Sequence, residues 1–450
     1  MKRILALKAV GDILLIHVGY LIAFYIQFLL KGEIDAHNLS AYMNVAPWLT
    51  VAAIVVFYGY GFYHSSSARQ QWDEIFSATI CALALLFLIT FSLSYMLYQF
   101  GFPRRTIAIA TFIQLLLILG WRALIVRWSK KYIDPIKLLI VGPAERALER
   151  ASHFAKDESG NYQVLAVLVD HDGGDFDLPV YESYEKLPQA LDEVRPNSIL
   201  FCSDIPYKAR MEMMMEALSR GVDIFIVPDL YEIMIAKSRL EQFNSVPTFR
   251  LTGLVNGRDQ LWKRAMDIGL AVIFGLPAAV VILLAAIALK IESPRAPVFY
   301  SQERVSRHGR IFRLYKLRTM IPDAEKNTGP VLAGKDDHRI TPVGRILRLT
   351  RIDELPQLWN VLKGEMSFIG PRAERPFFVE QYSKNIPGYD YRHFINSGIT
   401  GLAQVEGNYS TSAEDKLRFD LIYLQTFSPL RDFHILMHTI KVMLLKKKAM

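Results

Sequence analysis

Cysteine is almost absent. The 450-residue chain holds only Cys81, in an apolar run, and Cys202, in a predicted strand, which argues against a disulfide framework and fits a reducing compartment. Charge is scarce as well: 21% of residues are charged against 52% apolar. That balance excludes a single ordinary soluble domain, yet it carries too much charge for a chain wholly inside a membrane, so membrane segments joined to soluble domains are expected. Acids are the minority sign, and the net charge of +8 suits either nucleic acid or an anionic membrane face. Aromatic stacking platforms are sparse among the basic residues and no nucleic-acid motif is present, so a phosphate-bearing small molecule or lipid is favoured over nucleic acid.

What is present begins with four apolar runs, approximately 13–30, 45–63, 75–99 and 106–126. Each approaches the roughly 20 residues a membrane helix requires, and together they define a bundle over 1–131. A signal peptide is the rival for the first run, but no small-residue cleavage site follows "AFYIQFLLKGE". Lys2, Arg3 and Lys8 precede the first run, while Arg122, Arg127, Lys130, Lys131 and Lys137 accompany or follow the end of the fourth. The positive-inside rule therefore places both ends in the cytoplasm. Asp12 is read as lying near the interface and His17 as finding a partner inside the bundle, in preference to a proton relay.

After Pro135, short β-rich runs at 136–142, 162–170, 197–203 and 222–228 alternate with polar helical stretches, the pattern of a Rossmann-like parallel α/β domain over 136–250. The turn "IVGPAERA" (140–147) lacks the glycines of a dinucleotide fingerprint, because Pro143, Ala144 and Ala147 stand where they are needed. The domain is expected to hold no nucleotide, with Asp170 a turn residue rather than a ribose ligand.

A fifth apolar run, about 268–289, is flanked by Lys263 and Arg264 before it and by Lys290, Arg295, Arg304 and Arg307 after it, so the charge rule assigns both sides to the cytoplasm. Gly275 and Pro277 near its middle are the candidate break of a re-entrant helix. A simple fifth span with a tolerated proline is the other reading that the pattern leaves open. Residues 301–351 then carry twelve lysines and arginines against five acids. Within "RIDELPQLWNVLKGEMSFIGPR" (351–372), Asp353 and Glu354 are adjacent, and spacing alone would read Thr350 and Asp353 as a capping box ahead of Pro356. The cationic, membrane-proximal setting suggests another use: one carboxylate that attacks phosphorus and one that holds a divalent cation, with arginines neutralising phosphate oxygens.

Three stretches carry a resemblance to a known family: "SQERVSRHGRIFRLYKLRTM" (301–320), "DDHRITPVGRILRLTRIDELPQLWNVLKGEMSFIGPRAERP" (336–376) and "SGITGLAQVEG" (397–407). The sequence resembles the long-form bacterial polyprenyl-phosphate phosphosugar transferases of the monotopic phosphoglycosyl transferase superfamily. The match runs through most of 262–450, and the N-terminal half agrees in layout. The resemblance implies a four-helix transmembrane bundle, the Rossmann-like domain, and a mainly α-helical catalytic domain over 260–450 anchored by the re-entrant helix. It implies transfer of a sugar 1-phosphate from a UDP-sugar to undecaprenyl phosphate, with release of UMP and Mg2+ as cofactor, initiating a surface polysaccharide or glycoconjugate. It places Asp353 on the nucleophile, Glu354 with Asp353 on the metal, Arg372 on the nucleotide-sugar phosphates, and Lys316, Arg318, Arg348 and Arg351 on the basic, substrate-binding positions. Its setting is the bacterial inner membrane, multi-pass and in contact with membrane lipids, with the catalytic domain on the cytoplasmic face and a homodimer as the candidate assembly.

Three departures stand out. Leu276 precedes Pro277 where the family has Ser-Pro, "PRA" replaces "PRP" at 371–373, and Arg351 with Ile352 replaces Ser-Leu before the acids. A non-catalytic membrane scaffold and a nucleotide-sugar-modifying oxidoreductase are the alternative functions. His434 and His438 lack a third zinc ligand, residues 431–448 read as an amphipathic helix on the membrane surface, and "KDD" at 335–337 reads as a solvated turn.

Overall fold

The computed structural model describes residues 2–31, 36–63, 72–99, 102–132, 134–155, 160–171, 176–251, 257–322, 324, 337–407 and 411–444. The chain divides into two compact units, 1–57 with 62–233, and 58–61 with 234–450.

The first unit opens with four long helices, α1 (Lys2–Lys31), α2 (Ala36–Gly59), α3 (Trp72–Met96) and α4 (Arg104–Tyr132). Each contains a stretch long and apolar enough to cross a membrane, and this is a membrane protein. The helices start earlier than the apolar runs alone suggest, because polar first turns continue the same helices. Inside the bundle, His17 Nδ1 meets Tyr42 Oη at 2.6 Å and Nε2 meets Thr50 Oγ1 at 2.9 Å, so the imidazole is fully occupied. Asp12 differs from its interfacial expectation: it is fully buried and ion-paired with Arg122 of α4. A buried charge is tolerated there only because its counter-charge is buried beside it.

The same unit holds a five-stranded parallel sheet of order β3-β2-β1-β4-β5, built from β1 (Ile136–Gly142), β2 (Tyr162–Val169), β3 (Val180–Glu182), β4 (Ser198–Phe201) and β5 (Asp223–Ile226). Four of these are the apolar runs of the sequence. The fifth, β3, is too short and polar to announce itself. Helix α5 (Ala144–Ala155) covers one face, with Ala147 and Ala151 against Ile140 and Val167, while α6 (Leu187–Val194) and α7 (Tyr207–Ser219) cover the other; α8 (Leu230–Ile235) follows β5. Covering both faces is why the central strands read as continuous apolar runs. Gly142 serves packing: a Cβ there would lie 2.6 Å from Cys202 Cβ. Asp170 is more than a turn residue, since its Oδ1 accepts the Ala144 N–H at 3.0 Å and caps α5 at the spot where a pyrophosphate would sit.

The second unit begins with a hairpin that the sequence reading passed over, β6 (Arg239–Phe243) and β7 (Val246–Arg250). Its turn is Asn244–Ser245, both at positive φ (46° and 67°), the geometry of a two-residue hairpin loop. Then comes α9 (Gly257–Glu292), 36 residues assigned as one helix through Gly275 and Pro277. Both of its ends are fastened to the same folded unit. Before Pro277, Arg264 donates to Val361 O (2.6 Å) and Leu362 O (2.7 Å), and Asp267 accepts from Ser367 Oγ (2.9 Å) and Phe368 N (3.0 Å). After it, Ala285 and Leu289 pack with Leu317 and Leu347, and Glu292 Oε1 accepts Val343 N at 2.9 Å. Between these anchors Val272, Ile273, Leu276, Val280, Leu283 and Leu284 are exposed and apolar.

The rest of the unit comprises an antiparallel hairpin, β8 (Phe299–Val305) with β9 (Ile311–Leu317), the helices α10 (Pro342–Leu349) and α11 (Gln357–Lys363), a parallel pair β10 (Ser367–Ile369) with β11 (Gly398–Thr400), and α12 (Pro376–Asn385), α13 (Leu402–Glu406), α14 (Ala413–Thr426) and α15 (Pro429–Leu444). Helix α15 is two-faced. Asp432, Ile435, Met437 and Lys441 are buried, Asp432 is ion-paired with Lys263 of α9 (2.8 Å), and Thr439 bonds Thr400 at 2.8 Å, so this face is docked in the domain interior, while Leu430, Ile440 and Met443 are exposed. The lysines at 446–448 lie outside the described residues.

Candidate active site

The site is assembled by a short helix pressed against the end of a strand. Thr341 caps α10, its Oγ1 accepting Gly344 N at 3.0 Å, with Pro342 in the first turn. A Cβ on Gly344 would fall 2.1 Å from Thr319 O, so only glycine lets α10 lie this close to the chain leaving β9. The contact carries Arg348 to Thr319, Nε to Oγ1 at 2.8 Å.

The helix stops abruptly. Thr350 Oγ1 donates back to Ile346 O at 2.8 Å, and Arg351 takes a left-handed conformation, φ 58°, before a 3-10 turn over Ile352–Glu354. A left-handed arginine is strained by roughly 1–2 kcal/mol, the kind of expense found where geometry serves chemistry. This overturns the capping-box reading, since Thr350 bonds backwards into α10 and caps nothing ahead. The reversal turns Asp353 inward, 7% exposed, and its Oδ1 is buried with no hydrogen-bond partner among the described residues.

The two acids sit in different fields. Burial pushes the Asp353 carboxyl up to about 6; Lys316, Arg351 and Arg348 pull it down and Glu354 adds to the rise. Burial would also raise Glu354, but Lys316, Arg372 and Arg351 outweigh it and hold that carboxyl at about 2. The contacts agree: Lys316 Nζ lies 3.0 Å from Glu354 Oε1, and Arg351 Nη1 lies 3.7 Å away. One acid is held as an anion, and its neighbour is a carboxyl raised above the usual carboxylate range by burial.

Lys316, Glu354 and Arg372 line a common recess together with Arg304 and Gln357, and Asp353, Arg348 and Arg351 adjoin it through the acid pair. Arg318 lies apart from that lining. It is buried, with one N–H on Leu289 O at 3.3 Å and its Nε and Nη1 without a partner among the described residues. Gly275 and Pro277 belong to the exposed middle of α9. Asp337, expected in a solvated turn, is instead a mostly buried side chain forked on Arg339 (2.8 and 3.1 Å), which holds its carboxyl well below the usual range; Lys335 and Asp336 lie outside the described residues. His434 and His438 stack with ring centroids 4.2 Å apart, and among the described residues no group of three or more metal-binding side chains exists. The acid pair still fits a hard divalent cation: it offers carboxylate oxygens, one of them orphaned, and magnesium is commonly held by one or two carboxylates plus substrate phosphate oxygens. Sequence reasoning missed Arg304 and Arg392 as parts of this site. Arg304 was visible only as one more member of a basic run, and nothing local singles out Arg392.

A strained turn that buries a carboxyl beneath cationic side chains, on a domain anchored by an apolar helix, defines a membrane-held site for an anionic, phosphate-like group. Comparison with known proteins narrows that class. The family described as bacterial sugar transferase matches residues 258–446. A UDP-glucose:undecaprenyl-phosphate glucose-1-phosphate transferase of Xanthomonas campestris pv. campestris is 31% identical over 335 residues, covering 70% of this chain and 68% of the relative. A UDP-N-acetylgalactosamine-undecaprenyl-phosphate N-acetylgalactosaminephosphotransferase of Aeromonas hydrophila is 45% identical over 186 residues, 40% of this chain and 43% of the relative. A second glucose-1-phosphate transferase of that type, from Escherichia coli, is 37% identical over 223 residues, so these last two matches each span less than half of the relative, 43% and 48%. The chain belongs to the bacterial sugar transferase family.

Proposed function

We propose that this protein transfers a sugar 1-phosphate from a UDP-sugar to undecaprenyl phosphate and releases UMP, at the cytoplasmic face of a bacterial inner membrane. The observation that carries the reading is the buried Oδ1 of Asp353, without a partner among the described residues, which adjoins a Glu354 already committed to Lys316. In the first step that oxygen attacks the phosphorus next to the sugar, and the bond from this phosphorus to the bridging oxygen breaks, so UMP leaves with the electron pair. In the second, an oxygen of the lipid phosphate attacks the same phosphorus and the Asp353 carboxylate is restored. One difficult displacement becomes two easier ones.

Arg372 and Lys316 neutralise phosphate oxygens, and Arg351 with Lys316 keeps Glu354 ionised throughout. Asp353 and Glu354 would hold Mg2+, which when bound supplies neutralisation of the phosphate charge. A re-entrant α9 is supported by its two anchors on one folded unit with an apolar stretch exposed between them. The family named in the comparisons speaks against a pure scaffold. Against an oxidoreductase stands the N-terminus of α5, where Asp170 already accepts the Ala144 N–H.

Purified protein with magnesium, a polyprenol phosphate and a panel of UDP-sugars should release UMP with at least one donor. Asp353→Asn should abolish that release while the protein stays folded. Release of UDP would contradict the reaction, and near-normal UMP release by the variant would end the two-step mechanism.

A further inference from the structure

Four consecutive carbonyls around Arg372 are held from three parts of the second unit, the last two of them from neighbouring residues of β8. Pro371 O accepts from Gly398 N at 2.8 Å, Arg372 O from Arg392 Nη2 at 3.1 Å, Ala373 O from Arg304 Nη1 at 2.9 Å, and Glu374 O from Val305 N at 2.9 Å. The outer two partners are backbone amides, as in any strand-like pairing. The inner two are guanidinium groups.

Neither arginine is placed as an ordinary stabilising residue would be. Arg392 is 4% exposed and held by Asp420, Nε to Oδ2 at 3.0 Å, with Nη1 on Tyr389 Oη at 2.5 Å. Arg304 also donates to Gln302 Oε1 at 2.8 Å and lies 3.7 Å from Glu374. Burial and then the like charge of Arg372 push Arg304 down to about 10, with Glu374 opposing and Arg375 adding to the fall, so a cation is kept beside another cation. A neutral donor would satisfy the Ala373 carbonyl with less conflict. A planar fork, in contrast, fixes direction as well as distance.

The sequence at this point explains the demand. Residue 373 is alanine where the family resemblance has proline, so the fixed φ that a proline ring imposes is missing here. The side-chain bonds to the carbonyls of 372 and 373 restrain this stretch from outside it. Arg372 itself has an exposed side chain that lines the recess with Lys316 and Glu354, so its aim depends on how firmly its backbone is held.

We propose that Arg304 and Arg392 are positioning residues, which hold Arg372 over the recess through its own carbonyl and the next, and so preset it for the phosphates of the sugar nucleotide. The inference rests on the function proposed above.

The test is a double-mutant cycle on the full-length protein in detergent, following kcat/KM for the UDP-sugar. Arg304→Lys keeps the charge and loses the fork, and should lower kcat/KM by about 10- to 100-fold, the scale set by misplacement of a binding group. In an Arg372→Ala background the same change should lower it by less than about twofold, because a residue acting through Arg372 has nothing left to position. Arg392→Lys should behave alike; should it fail to fold because Asp420 is left unpaired, the Arg304 arm decides. If Arg372→Ala turns over too slowly to follow, the same cycle is read on UDP dissociation constants by calorimetry. Multiplicative losses in the two backgrounds would overturn the inference and leave the function standing. A wild-type protein that releases no UMP from any donor would bring down the function, and the inference with it.

Discussion

Both compact units place polar groups beside a helix terminus, and they treat those groups in opposite ways. At the end of β1, Gly142 is packed against Cys202, and the free N–H of Ala144 is taken by Asp170. At the end of α10, beyond β9, Asp353 is turned inward by a strained Arg351 and its Oδ1 has no partner among the described residues. The first site is closed upon itself. The second holds an unsatisfied acceptor beneath three cations, and a buried acceptor without a donor is unfavourable by about 1–3 kcal/mol. Such an expense persists where a substrate, cation or proton completes the set. Within one chain, then, satisfied polarity separates architecture from chemistry more reliably than the resemblance of either region to a nucleotide-binding motif.

The largest effect on this contrast should come from Lys316→Met. Removing the cation 3.0 Å from Glu354 raises the Glu354 carboxyl, since Lys316 leads the interactions that hold it down. UMP release should fall by about 100-fold or more, the range seen when one preorganised charge-stabilising donor is lost. A loss of less than about threefold would mean that Glu354 works without its partner. Gly142→Ala should act the other way. Its Cβ meets Cys202 Cβ at 2.6 Å, so the protein should lose about 1–3 kcal/mol in stability by thermal unfolding, while kcat/KM stays within about twofold of the parent. A large drop in turnover at unchanged stability would show that the first unit takes part in the reaction and would break the comparison.

Much of this architecture is legible in the sequence, for identifiable reasons. Strands β1, β2, β4 and β5 are apolar runs because the sheet they form lies between helices, and the membrane helices declare themselves by length. The adjacent acids are visible as residues. Their geometry is not, because Thr350-x-x-Asp353 is spelled like a helix cap, and only the left-handed Arg351 decides against it. The hairpin β6–β7 escaped because neither strand alternates cleanly, and the one local signal was its Asn244–Ser245 turn. The inner face of helix α15 was not legible, because Asp432 is claimed by Lys263, 169 residues away. The grip on Arg372 is of the same kind: Arg304 reaches Ala373 across 69 residues and Arg392 meets Asp420 across 28, pairings that no local pattern encodes.

The central claim is that the orphaned oxygen of Asp353 is the nucleophile, and mass spectrometry of the enzyme mixed with magnesium and UDP-sugar, with lipid acceptor withheld, tests it most directly. The account predicts a burst of UMP stoichiometric with enzyme and a sugar-phosphate adduct on the peptide that contains Asp353, discharged when polyprenol phosphate is added. UMP formation without an adduct, or an adduct that persists in Asp353→Asn, would contradict it.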